Sequence, residues 1–447
     1  MAKMRNLAAV LLPLLLLCAC GGPSERGLST RRPNVLLVLI DTIRSDHMSC
    51  YGYCRQTTPH LDSLAESGTR FSNVMSGSPW TLPSMTTIFT GLPERVHRAR
   101  LSDMKFFGVD PALPFMPLLL KEEGYRTAAF FNVIYMSEHF GFHRGFDHFD
   151  CQGLVELWNS RTAGQTVDEM LTWLDSTGTD APFFVALHLF DPHATYNPPA
   201  PYDTIWTDPA YSGRFDSSWG VRTDMEEANT GVVTVDSAGR HNLINLYDGE
   251  LAYADAELGR LFSELRRRGL EESTMVVVIG DHGEEFAEHG RYTHGHSLHA
   301  ELLQVPLILA GAGVEPGVVD TSLVGNIDVL PTVMAAAGSS APEGSSGRDL
   351  LSPCDGPPRT LFASGLGGSR QACARRLDRK VVWHVEEDSA YAYDLAADPT
   401  EMNPLPPDSG LLAEAMDYWA TPPRGNPRAV PWTNAVEDQL RDLGYIR

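Results

Sequence analysis

Residues 78–85 read Ser-Pro-Trp-Thr-Leu-Pro-Ser-Met and run on to Thr90-Gly91. Pro83 suits the first turn of a helix, where its missing N–H costs nothing, so Thr81 is expected just ahead of that helix. There its hydroxyl would face unpaired N–H groups and the positive end of the helix dipole. Such a position stabilises an alkoxide and a bound oxyanion together. A threonine at this offset is also an ordinary N-cap, so the chemistry depends on which acids and histidines converge on it. Three short motifs are candidates: Asp41, Asp191 with His193, and Asp281-His282-Gly283. Taken singly each is a turn at a strand end, since Asp and Gly are both turn formers. Together, Asp41, Thr81, Asp281 and His282 offer two carboxylates, one hydroxyl and one imidazole. That mixed oxygen and nitrogen set suits one divalent metal, Zn²⁺ or Mn²⁺ before Ca²⁺ or Mg²⁺. A metal on the Thr81 hydroxyl would lower its pKa and make it a nucleophile.

The elements around these motifs explain how they could meet. Asn34 to Ile40 is a continuous apolar run ending at Asp41, the pattern of a strand buried on both faces. Arg126 to Phe131, Phe183 to Leu189, Met275 to Gly280 and Val305 to Ala310 read the same way. Helices are expected at 59–67, 113–123, 166–175, 242–268 and 328–337, several of them closed by Gly. Strands alternating with helices give an α/β fold with a mostly parallel central sheet. Asp41, Asp191/His193 and Asp281/His282 then all lie past the C-terminal ends of strands, where open α/β sheets bind ligands. Residues 194–239 are rich in Pro, Asp, Ser, Gly and Trp and read as an irregular, substrate-facing insertion.

With 447 residues the chain has ample core. A formal net charge of −22 argues against a nucleic-acid partner. Residues 1–20 have a basic start, an apolar Leu7–Leu17 stretch too short to span a bilayer comfortably, and the ending Leu-Cys-Ala-Cys before Gly21-Gly22. This resembles a bacterial lipoprotein signal, which implies cleavage before Cys20, lipidation of its thiol and a lipid-anchored place in the cell envelope, on the periplasmic face or outer membrane. Residues 21–32 read as a tether. Cys50–Cys54 and Cys354–Cys373 are candidate disulfides, leaving Cys151 free. Residues 33–338 form the expected catalytic domain. The Ser-, Gly- and Pro-rich 339–358 stretch reads as a linker, and 359–447 as a small α+β subdomain with a Pro-rich tail.

The chain resembles the sulfatase family of the alkaline phosphatase superfamily. Residues 34–52 (NVLLVLIDTIRSDHMSCYG) match the family's first strand and metal-binding Asp, and Thr81-Leu82-Pro83-Ser84-Met85 occupies the nucleophile motif. Residues 279–290 (IGDHGEEFAEHG) match the second metal motif and 294–307 (HGHSLHAELLQVPL) the segment after it. Tyr393-Asp394-Leu395 with Asp398-Pro399 resembles the end of the family's C-terminal subdomain. The departures are informative. Sulfatases place Cys or Ser before x-Pro-x-Arg and convert it to formylglycine; here that residue is Thr81, and the Arg position holds Met85. Many also carry paired Asp where this chain has Asp41-Thr42. In these respects it resembles the Thr-nucleophile branches of the superfamily.

The resemblance implies that His193 and His294 bind the transferred group or protonate the leaving group, with His296 competing for the second role. Arg44 is a further candidate contact for the anion. A second metal on Asp191, His193 and His294 ranks lower, because the spacing differs from that of two-zinc phosphodiesterases. The expected activity is hydrolysis of small anionic esters: phosphomonoesters or phosphodiesters first, phosphonate esters next. Sulfate-ester hydrolysis with unmodified Thr and phospholipid-headgroup transfer are the alternatives. A non-catalytic binding protein is the reading from another class, and retention of all four metal positions speaks against it.

Overall fold

The computed structural model describes residues 32–102, 105–152, 161–178, 180–216, 221–352, 358–365, 370–425 and 427–430. Cys20, Cys354 and the tail from 431 lie outside them.

Eight strands make the main sheet: β1 Asn34–Ile40, β2 Gly68–Met75, β3 Arg126–Phe131, β4 His148–Cys151, β5 Phe183–Leu189, β6 Thr274–Gly280, β7 Leu307–Gly311 and β8 Val318–Gly325. Their order is β8-β2-β7-β6-β1-β5-β3-β4. Only β7 runs against its neighbours β2 and β6; the other paired strands are parallel. The expected mostly parallel α/β sheet is therefore the one observed. Alternation along β1 shows why its sequence is apolar throughout. Val35, Leu37 and Leu39 enter one core layer, while Leu36, Val38 and Ile40 enter the other. Truncating one such buried Leu to Ala would cost about 2–5 kcal/mol.

Register matters most for function. Ile40 pairs with Leu189 on one side and with Gly280 on the other. The three central strands thus end level, which brings Asp41, the β5 exit and Asp281 to one edge. Helices that pack around the sheet include α1 Pro59–Glu66, α2 Thr81–Thr90, α3 Ala163–Ser176, α4 Ser237–Arg267 and α5 Val329–Ala336.

Several expectations need correction. Strands β2, β4 and β8 were not legible as such. The 194–239 insertion contains a helix, Val221–Asn229, and α4 begins at Ser237, where the Asp236 carboxylate accepts the Gly239 N–H. The described part of the presumed linker is tied down: Ser346 N–H donates to Gly91 O and Arg348 N–H to Asp328 Oδ1. Cys50 and Cys54 are not bridged.

The C-terminal region is a four-stranded antiparallel sheet, β9 Leu361–Gly365, β10 Gln371–Arg375, β11 Arg379–His384 and β12 Ser389–Asp394, with α6 Ser409–Ala420. It docks through buried polar contacts. Ser364 donates from its backbone to Gly77 O and from its hydroxyl to Glu94. Lys380 Nζ donates to Leu298 O and to both Glu401 carboxylate oxygens, the latter at 2.9 Å.

Candidate active site

Helix α2 starts at Thr81 itself, one residue earlier in its first turn than the proline rule suggested. Trp80 takes the N-cap position in extended backbone, and no side chain caps the helix. The Thr81 hydroxyl is therefore not a cap. It is buried and lies 3.3 Å from His282 Nε2. The helix is locked in place by Ser84, whose hydroxyl donates to Asp281 O at 2.6 Å and accepts from Asn326 Nδ2 at 2.9 Å. One bond thus couples α2 to the strand end that carries Asp281.

Asp41, Asp281 and His282 are fully buried, and one ligand atom from each lies within 4.8 Å of the others. Asp281 Oδ1 accepts the N–H groups of Thr42 (3.2 Å) and His282 (2.8 Å). Its Oδ2 accepts no hydrogen bond and sits 3.3 Å from His282 Nε2. His282 Nδ1 faces Gly283 O at 2.9 Å, so it carries the proton and Nε2 keeps its lone pair. Thr42 adopts φ +50, a left-handed conformation that strains a β-branched residue, and its buried hydroxyl has no partner. Gly283 is required by close approach: a Cβ there would lie 2.0 Å from Glu301 O.

Burial first, and Asp41 second, push the Asp281 carboxyl up to about 8. Burial pushes His282 down to about 4 and His188 to about 3, so neither imidazole supplies a positive charge. Unpartnered oxygens on Asp281 and Thr42, two buried acids and a neutral imidazole fit a divalent cation held by Asp41, Asp281, His282 and Thr81.

His193 and His294 are brought to this cluster. The His294 ring centroid is 4.4 Å from that of His282 and 5.0 Å from that of His193. His193 Nδ1 is held by Ala194 O at 2.7 Å, and its ring stacks on Phe190. His294 Nδ1 is held by Glu284 Oε1 at 3.0 Å, both side chains being buried. His296 is engaged elsewhere, 2.7 Å from Glu285 Oε2. Asp191 does not join His193; its Oδ1 accepts the Ala163 N–H at the start of α3.

Arg44 is placed differently from the expectation. Its guanidinium is buried and held by Asp46, Glu288 and Glu284 O, so these donors serve the loop rather than an anion. Sequence reasoning missed two residues of the site. Glu284 is one, in the Asp281-His282-Gly283-Glu284 run. The other is His188, whose Nε2 lies 3.2 Å from Asp41 Oδ2.

A second group with donors in reach of one another is His289, His299 and Glu301. Its two rings stack nearly parallel, with centroids 3.7 Å apart and 9° between planes. In-plane lone pairs of stacked rings cannot converge on one ion. His289 instead donates from both nitrogens, to Glu301 at 2.7 Å and to Glu401 O at 3.0 Å.

Comparison with known proteins identifies the family. The sulfatase family model matches residues 33–339. Arylsulfatase K of Homo sapiens is 25% identical over 374 residues, covering 75% of this chain and 69% of that protein. The N-acetylglucosamine-6-O-sulfatase of Bacteroides thetaiotaomicron is 24% identical, covering 89% and 87%. A solved enzyme in complex with its substrate D-glucosamine-2-N,6-O-disulfate superposes with a TM-score of 0.71 at 19% identity, over 93% of this chain and 99% of that one. The phosphonate monoester hydrolase of Agrobacterium radiobacter superposes at 0.69 and 20% identity, over 87% and 94%. With the match running from the first residue of the sheet domain to the end of its last helix, this chain belongs to the sulfatase family, whose members hydrolyse sulfate and phosphonate esters.

Proposed function

We propose that the chain hydrolyses phosphorus esters, with Thr81 as nucleophile. The observation that carries this is the Thr81 hydroxyl: buried, at a helix N-terminus, unused as a cap, and 3.3 Å from His282 Nε2. A divalent metal on Asp41, Asp281, His282 and Thr81 would lower the hydroxyl pKa and offset charge on the transferred group. Deprotonated Thr81 Oγ forms the new bond to phosphorus as the bond to the leaving oxygen breaks. His294, held by Glu284, or His193, held by Ala194 O, supplies the leaving oxygen with a proton. Water then attacks phosphorus and releases Thr81.

Two features favour phosphorus over sulfur. A formylglycine hydrate expels sulfate by losing a proton from its second hydroxyl, and Thr81 has no second hydroxyl. Met85, at the position of the expected cation, is fully buried in the core. The second reading, sulfate-ester hydrolysis, is favoured by the names of the curated relatives. The test is kcat/KM for matched nitrophenyl phosphate, phosphodiester, phosphonate and sulfate substrates on metal-loaded enzyme. Phosphorus esters should lead; a sulfate value above all of them overturns the reading. In the same reading the mature protein is anchored through lipidated Cys20, and Cys20→Ser should move it from the detergent phase to the aqueous phase.

A further inference from the structure

We infer that His188 is a positioning residue for the metal: it holds Asp41 from behind so that one carboxylate oxygen faces the ligand cluster. The inference rests on the metal-site reading above. His188 belongs to β5, pairs in register with Leu39 of β1 and is fully buried. Its alternate neighbours Ala186 and Phe190 are core residues of the same layer as Leu39. A histidine in that layer is out of place on packing grounds.

Its contacts show what it does there. Nε2 lies 3.2 Å from Asp41 Oδ2, while Asp41 Oδ1 lies 3.7 Å from His282 Nε2. The two carboxylate oxygens are thus divided between His188 and the ligand side. Facing a carboxylate, Nε2 carries the proton and donates it. Nδ1 is then a lone-pair acceptor, and it is buried with no hydrogen-bond partner. An unpartnered buried acceptor is destabilising, and a leucine would bring none. His188 stands outside the group whose donors lie mutually within 4.8 Å, so it orients a ligand and is not one. Thr42 adds weight to this role. Where a second acid could follow, β1 leads into Asp41 alone, and the angle of that single carboxylate sets the site. Hydrogen bonds to metal ligands of this kind tune affinity by about 10–100-fold.

The experiment is chelator competition with Zn²⁺ and Mn²⁺ on the wild type, His188→Leu and His188→Gln, with apo Tm measured alongside. His188→Leu should fold and, at saturation, still bind one metal per chain, about 10–100-fold more weakly. His188→Gln, which keeps an N–H donor of similar reach, should recover most of that loss. Wild-type affinity in His188→Leu overturns the inference. Loss of the metal even at saturation also overturns it, because His188 would then be a ligand. Should His188→Leu fail to fold, His188→Asn, too short to reach Asp41, takes its place in the same comparison. A wild type that binds neither metal would instead sink the metal-site reading itself.

Discussion

At the ends of β1 and β6, Asp41 and Asp281 are buried beside the neutral imidazoles of His188 and His282. At the joint with the C-terminal sheet, Glu301 and Glu401 are buried against His289 and Lys380. Both regions place histidine and acid donors within a few ångströms of one another. They differ in charge balance. At the joint, Lys380 answers Glu401, and His289 answers Glu301 through Nδ1–H while its Nε2–H donates to Glu401 O. The Glu301 hydrogen bond, together with the others, lifts His289 to about 9, so it is charged at neutral pH. At the strand ends, Asp281 has backbone N–H groups and Asp41 for company, and its carboxyl is pushed up to about 8. A balanced buried cluster is complete and holds the fold together. An unbalanced one strains the apo fold and favours a bound countercharge.

Substitutions should separate the two regions sharply. Thr81→Ala should lower kcat/KM by at least about 10³-fold while leaving Tm and metal stoichiometry near wild type, since three ligands persist. Thr81→Ser should keep part of the activity. Unchanged turnover in Thr81→Ala would assign the attack to water. Lys380→Met should do the reverse. Removing one partner of a buried pair strands Glu401 and costs about 3–5 kcal/mol of stability, with metal affinity unchanged. Denaturant melts with and without metal would show it.

The pH dependence of stability offers a finer contrast. The unfolded chain loses the Asp281 proton near the ordinary value of 3.8, but the native apo chain keeps it to about 8. Native protein therefore binds the extra proton in between, and apo stability should fall as pH rises through that window. The stabilisation from His289 is whole below its ordinary value of 6.5 and lost as pH rises through about 9. Saturating metal should flatten the first slope and leave the second. A metal-insensitive slope across both windows would erase the distinction. The smallest effect expected is from Ser84→Ala, which removes the bond between α2 and Asp281 O and should cost about 1–2 kcal/mol.

The strands that carry the site were legible because they are buried on both faces. Asn34–Ile40, Arg126–Phe131 and Phe183–Leu189 are read from the sequence with the bounds seen in the structure. β2 and β8 escaped because Gly68–Met75 and Val318–Gly325 are partly exposed and interrupted by polar residues. Among site residues, Asp41, Thr81, Asp281, His282, His193 and His294 stood at strand or helix ends beside turn formers, where polar residues draw notice. His188 sits inside the apolar run Phe-Phe-Val-Ala-Leu-His-Leu, and its partner is 147 residues away, so nothing local marks it. Arg44 misled for the opposite reason. It lies three residues after Asp41, yet its charge is taken by Asp46 and by Glu288.

The most direct test of the unbalanced-cluster account is the apo stability of Asp281→Asn. The amide keeps an oxygen for the Thr42 and His282 N–H groups and removes the charge opposite Asp41. At pH 8 or above, the apo variant should melt at or above the wild type, by about 1 °C for each kcal/mol of repulsion relieved in a chain of this size. It should also lose the metal-dependent rise in Tm expected of the wild type. An apo variant that melts well below the wild type, as a variant of the Lys380 joint would, contradicts the account.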